Sequence, residues 1–148
     1  MKIRLLFFVA ALSFLLSESK AQSVAYYPFS SILSVSTNPD KGFWLDGRFQ
    51  MNSFFSSLAT EIAPAINLNK NTKGRFYFGG GIRANALAAS AGNNFMEGYF
   101  INLGMRSAPF EKYPQVQIAF ELSPFVASDF ESGLFRSRLG LAYNFSRK

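Results

Sequence analysis

The side chains of this sequence that could do chemistry are carboxylates and guanidiniums. Glu61 and Glu121 could work as a general acid and base, and Arg83, Arg106, Arg136 and Arg138 could hold an anion. The chain contains no histidine and no cysteine. Serine–histidine triads, cysteine nucleophiles and nearly every zinc site need one or the other, so all of them drop out. Gly79-Gly80-Gly81 has the spacing of neither nucleotide fingerprint and falls inside a strand-like run. Those glycines read as room for bulky neighbours, or as a bend, and not as a phosphate cradle. An unpaired buried charge is costly, so the preferred role of the two glutamates is to neutralise the arginines around them. No catalytic, cofactor-binding or metal site is expected, and the chain reads as a non-enzyme.

What must position these residues is a series of alternating runs. Side chains on a strand point to opposite faces with period two. In Arg75–Leu87, Phe76, Phe78, Ile82, Ala84 and Ala86 oppose Arg75, Tyr77, Gly79, Gly81, Arg83 and Asn85. Leu58–Leu68, Glu97–Pro109, Val116–Val126 and Leu134–Phe145 repeat the pattern, as does the stretch where Phe43, Leu45, Phe49 and Met51 oppose Trp44, Asp46, Arg48 and Gln50. Turn-type clusters separate the runs: Asn38–Gly42, Asn69–Gly74, Ala91–Asn94, Glu111–Gln115 and Ser128–Gly133. Ser31–Thr37 supplies a seventh run and Val24–Phe29 an eighth, with Pro28 marking the latter as an edge or entry segment.

The charges follow one rule. Asp46, Arg48, Glu61, Arg83, Arg106, Glu121, Arg136 and Arg138 all lie on the polar face of their runs, as a structural charge network. The basic members are all arginine, whose planar fork pairs with two carboxylate oxygens at once. Lys41, Lys70, Lys73, Lys112 and Lys148 fall in turns or at the terminus. Glycine and alanine share the polar face, as a narrow filled lumen of about eight strands requires. The opposite face is apolar and aromatic. A transmembrane barrel turns such a face to lipid, whereas a soluble exported barrel would bury it and bind a lipid or other apolar ligand inside. Trp44, Tyr99 and Tyr143 are expected in an aromatic girdle at the lipid interface. Connections are short, the longest being about Ala88–Met96.

The N-terminus differs from all this. Lys2 and Arg4 precede an apolar stretch, Leu5–Leu16, and small residues stand at Ser19 and Ala21. This is the layout of a secretory signal peptide over residues 1–21, cleaved before Gln22. Twelve residues are too few to cross a bilayer, which takes roughly 20. Its removal lowers the net charge from +6 to +4. Export and the inward arginines argue against nucleic acid as a partner.

The chain ends Leu139-Gly-Leu-Ala-Tyr-Asn-Phe145, then Ser146-Arg147-Lys148. This resembles the last strand of bacterial outer-membrane barrels, and together with the Ala21-Gln22 exit the chain resembles small outer-membrane β-barrel proteins of Bacteroidota. Phe145 is not the final residue, which departs from a strict terminal-aromatic signal. The resemblance covers residues 31–145 as a pattern. It implies an all-β fold, a small antiparallel up-and-down transmembrane barrel of about eight strands spanning 22–148. It also implies an outer-membrane location, with lipid and the barrel-insertion machinery as partners, and no active site. Enzymes of that class generally depend on histidine, which strengthens the non-enzymatic, structural or interaction reading.

Overall fold

Alternation of small or polar residues with β-branched and aromatic ones favours extended chain, because such side chains pack well on a pleated surface. The computed structural model describes residues 23–51, 59–71, 73–90, 92 and 94–147. The expected signal peptide and its cleavage point lie outside them. Ten strands form: β1 (Ser23–Tyr27), β2 (Ile32–Ser36), β3 (Phe43–Gln50), β4 (Ala59–Asn67), β5 (Gly74–Asn85), β6 (Met96–Ser107), β7 (Val116–Leu122), β8 (Phe125–Ala127), β9 (Gly133–Leu134) and β10 (Ser137–Asn144). A helical turn, Ala86–Ser90, follows β5.

Strands β1 to β7 pair antiparallel, each with the next. β10 then pairs with β7 on one side and β1 on the other. The result is a closed eight-stranded up-and-down barrel of β1–β7 and β10. Strand direction alternates, so the start of β1 and the end of β10 share one end with the turns 37–42, 68–73 and 108–115. We call this the termini end, and the opposite one the far end.

Three expectations are corrected. Val116–Val126 is not one strand: Pro124, which has no N–H to give, interrupts it between β7 and β8, and its carbonyl accepts from the Ile101 N–H at 3.2 Å. Leu134–Phe145 is likewise split at Phe135-Arg136, so β8 and β9 form a short hairpin beside β6. The first strand takes no edge place, one of the two that Pro28 left open. It pairs on both sides, and Pro28 stands just past it at the start of a 3-10 turn, where its missing donor costs no ladder bond.

Burial inverts the arrangement of a water-soluble barrel. Asp46, Arg48, Glu61, Asn102, Arg106, Gln117, Glu121 and Arg138 are buried, while Phe76, Phe78, Ile101, Leu103, Phe120 and Leu141 are exposed on the outer wall. Small residues of the inner face leave room for the large ones. A Cβ on Gly104 would run into the Tyr77 ring, and one on Gly140 would meet the Tyr27 ring. Gly81 serves a different need: a Cβ there would collide with the Ile62 carbonyl, so its absence lets β4 approach β5 beside Pro64.

Gly104→Ala should therefore displace Tyr77 and lower the thermal unfolding midpoint, at an overpacking cost of about 1–3 kcal/mol. Gly42→Ala, with nothing within 4 Å of the new methyl group, should leave the midpoint unchanged.

Candidate functional site

Period-two alternation turns Asp46 and Arg48 on β3, Glu61 on β4, Arg83 on β5, Arg106 on β6, Glu121 on β7 and Arg138 on β10 into the lumen. Barrel closure then brings distant pairs together. β3 and β7 stand four strands apart in either direction around the wall, and so do β4 and β10. Arg48 reaches across the first of these diameters. Its Nη1 and Nη2 donate to the two carboxylate oxygens of Glu121, each at 2.7 Å, and its Nε donates to Asp46 at 2.8 Å. Arg138 reaches across the second, with Nη2 donating to Glu61 at 3.0 Å, while its Nη1 lies 3.4 Å from Glu121.

Further contacts lengthen this ladder in both directions. The Ser34 hydroxyl donates to Asp46 at 2.5 Å, and the Tyr77 hydroxyl donates to Glu121 at 2.8 Å. Towards the far end, Arg136 Nη1 donates to Glu61 at 2.7 Å, and Arg83 pairs with Glu97 at 2.5 Å while donating to Gln50 at 2.8 Å. Arg136 is part-buried beside the break in β9–β10, its guanidinium 4.8 Å from the Phe125 ring centroid.

Arg106 stands apart from the others. Among the described residues no carboxylate pairs with it. Its Nη1 donates to Ser23 Oγ at 3.1 Å, and its guanidinium lies 4.8 Å from the Trp44 ring centroid. A desolvated cation–π contact of this kind contributes about 2 kcal/mol, part of what an ion pair would supply. This accounts for Trp44, which is 1% exposed and sits in the lumen. Its expected place in an aromatic girdle is thus overturned. It packs edge-on to Tyr77 at 5.1 Å, and its indole N–H donates to Asn67 at 3.3 Å. Tyr99 and Tyr143 do face outward.

A second cluster, at the termini end, has no counterpart in the sequence reading. Asp40, in the turn after β2, accepts from Arg147 at 2.7 Å, from Asn144 at 3.0 Å and pairs with Arg75 at 3.1 Å. Burial pushes the Asp40 carboxyl up, but the hydrogen bond and charge of Arg147, with the charge of Arg75, outweigh it and hold the group below its ordinary value. Arg75 shares the parity of Arg83 on β5, so alternation alone could have found it. Nothing local to Asp40 or Arg147 announces their contact across 107 residues.

Chemically, these arrangements are braces that tie opposed strands together. Glu61 and Glu121 are each held by arginines on several sides; Glu121 is fully buried, and the cleft that Glu61 lines with Arg48, Gln50 and Arg83 measures only about 10 Å³. The charged groups of the strands face the lumen, with Asp46, Arg48 and Glu121 buried there. Comparison with protein-family models, curated proteins and solved structures finds no match to this chain.

Arg48→Met should cost about 3–5 kcal/mol, because among the described residues it leaves buried Asp46 with the Ser34 hydroxyl and no paired cation, and Glu121 with only the longer contact to Arg138 and the Tyr77 hydroxyl. The pair Arg48→Met with Glu121→Leu should cost less than the two single changes added together, measured by unfolding midpoints in a double-mutant cycle. For Asp40 the folded carboxyl titrates below the unfolded one, so its contribution is complete above the ordinary value of about 3.9 and is lost as pH falls through the lowered one. The stability gap between wild type and Asp40→Asn should therefore be constant near neutrality and close on acidification below about pH 4.

Proposed function

We propose that this chain is an exported protein that spans an outer membrane as a β-barrel with a filled lumen, serving a structural or interaction role without catalysis. The observation that carries this reading is the inverted burial. Large apolar side chains cover the outside of a closed barrel while eight of the charged groups of its strands face inward. In water that wall would expose an apolar surface far beyond the few hundred Å² that a soluble monomer usually shows. In lipid it is the surface required, and among the described strands closure of the eight-stranded wall leaves only the outer edge of the two-residue β9 unpaired.

Other features agree. Exposed aromatics gather towards both ends, with Phe43, Tyr113, Tyr143 and Phe145 near the termini end and Phe95, Tyr99 and Phe130 near the far end. Such belts suit the two headgroup levels. Trp44, Tyr27, Tyr77 and the arginine ladder occupy the lumen, which supports a plug and not a pore. The basic-then-apolar start, residues 1–21, supports export, and the aromatic last strand supports handling by the barrel-insertion machinery. No nucleic acid or cofactor enters this reading.

Cell fractionation with gel electrophoresis of boiled and unboiled samples tests it. Recovery in the outer membrane with a heat-dependent mobility shift is the expected result, and recovery in the soluble periplasm without a shift would overturn it. Leu103→Arg and Phe120→Arg, each placing a charge on the outer wall, should cost roughly 2–4 kcal/mol if they lie near the bilayer midplane and deplete the heat-shifted form.

A further inference from the structure

The two ends of the barrel carry opposite charge. Every lysine among the described residues lies at the termini end and is exposed: Lys41 before β3, Lys70 and Lys73 before β5, and Lys112 before β7. Lys73 shares its charge with Glu111 at 2.7 Å, a solvent-exposed pair of small energetic worth. At the far end the exposed charges are Asp129 and Glu131. The stretches of sequence joining β1 to β2, β3 to β4 and β5 to β6 contain no lysine or arginine. The far-end arginines, Arg83 and Arg136, are turned inward to Glu97 and Glu61.

Placement of the lysines is as informative as their number. The three turns that bear them recur every second strand, so the ammonium groups are spread around the rim and not gathered on one side. Apolar side chains stand beside them at the lip of the wall: Leu68, Phe110 and Tyr113 are exposed, and the Lys112 ammonium lies 5.9 Å from the Tyr113 ring centroid. A cleft of about 260 Å³ opens at the same level between Lys73, Phe110, Pro114 and Arg147. Lysine's ammonium is compact, strongly hydrated and carried on a flexible stem, suited to a fluctuating layer of phosphates. A folded acidic partner would more naturally meet one patch than a ring.

We propose that the termini end is a docking surface for the headgroups of anionic phospholipids in the adjoining leaflet, contacted by Lys41, Lys70 and Lys112. The barrel is thereby biased towards one orientation, with its acidic far end away from that leaflet. This inference rests on the membrane-spanning reading. Basic groups near an anionic bilayer are attracted within about a Debye length, so the contact must weaken with salt.

The test is insertion of the full chain into competing vesicles, one population of phosphatidylcholine and one containing roughly a third phosphatidylglycerol. Insertion is read by the heat-dependent mobility shift. Wild type should favour the anionic vesicles on the order of tenfold at low salt, and lose that preference at about 0.5 M salt. The triple variant Lys41→Glu, Lys70→Glu, Lys112→Glu should lose it at low salt as well. The triple Lys→Gln variant at the same positions, gentler on folding, should show most of the loss. Insertion of wild type without preference, or a preference kept by both variants, overturns the headgroup contact and leaves the membrane reading standing. Failure to insert into either population overturns the membrane reading and the contact with it. Suppression of the preference by soluble polyphosphate at a matched phosphate concentration would assign the lysines to a soluble anionic polymer instead, and would equally overturn the proposal.

Discussion

Two guanidiniums enclosed in this eight-stranded barrel find carboxylates across the lumen, and the rest of the molecule is arranged around those bridges. Arg48 bridges β3 to β7 through both oxygens of Glu121, and Arg138 bridges β10 to β4 through Glu61. Each bond ties walls that are diametrically opposed. Removing either partner leaves a charge in a low-dielectric interior, which costs more than the intact pair stabilises. The ladder therefore contributes less as a source of net stability than as a constraint on register. A one-residue slip of β3 or β7 would send Arg48 or Glu121 to the outer wall.

Small residues make that constraint sterically feasible. An eight-stranded barrel has an interior just wide enough for side chains to fill it. Gly104 and Gly140 yield their inner space to Tyr77 and Tyr27, and Ala63, Ala65, Ala119 and Ala142 line the remaining wall. Tyr77 then delivers its hydroxyl to Glu121, which joins the packing of the lumen to its electrostatics. Arg106 shows the same economy, held by an aromatic face and one hydroxyl where a carboxylate is lacking. At the termini end the Asp40 cluster stitches the β2–β3 turn to β5 and to the chain past β10, beside the seam where the last strand meets the first.

The outer wall is an apolar surface. Its apolar side chains gain nothing from water, and in the proposed setting the surrounding lipid replaces the second layer that a soluble fold would need. The charge difference between the two ends follows from the same up-and-down topology. Alternate turns are gathered at one end, so turn composition becomes a property of an end and not of a loop.

The sequence by itself determined which face each side chain would take, because period two is a property of extended backbone and needs no partner. From Trp44-Asp46-Arg48 to Arg136-Arg138, parity sorted the side chains into two faces, closure of the barrel decided which of them is the lumen, and the absence of histidine and cysteine removed triads, thiol nucleophiles and nearly every zinc site. Parity also separated Trp44 from the outer aromatics, yet its place near a strand end suggested the girdle; only the space beside Tyr77 and the need of Arg106 for an aromatic face show why it turns inward. Which carboxylate each arginine takes, where Pro124 breaks the run Val116–Val126, how β1 is shared by two neighbours, and why Asp40 meets Arg147 were decided by the tertiary structure alone. These depend on closure and on the stagger of strands far apart in the chain, distances that no local pattern encodes.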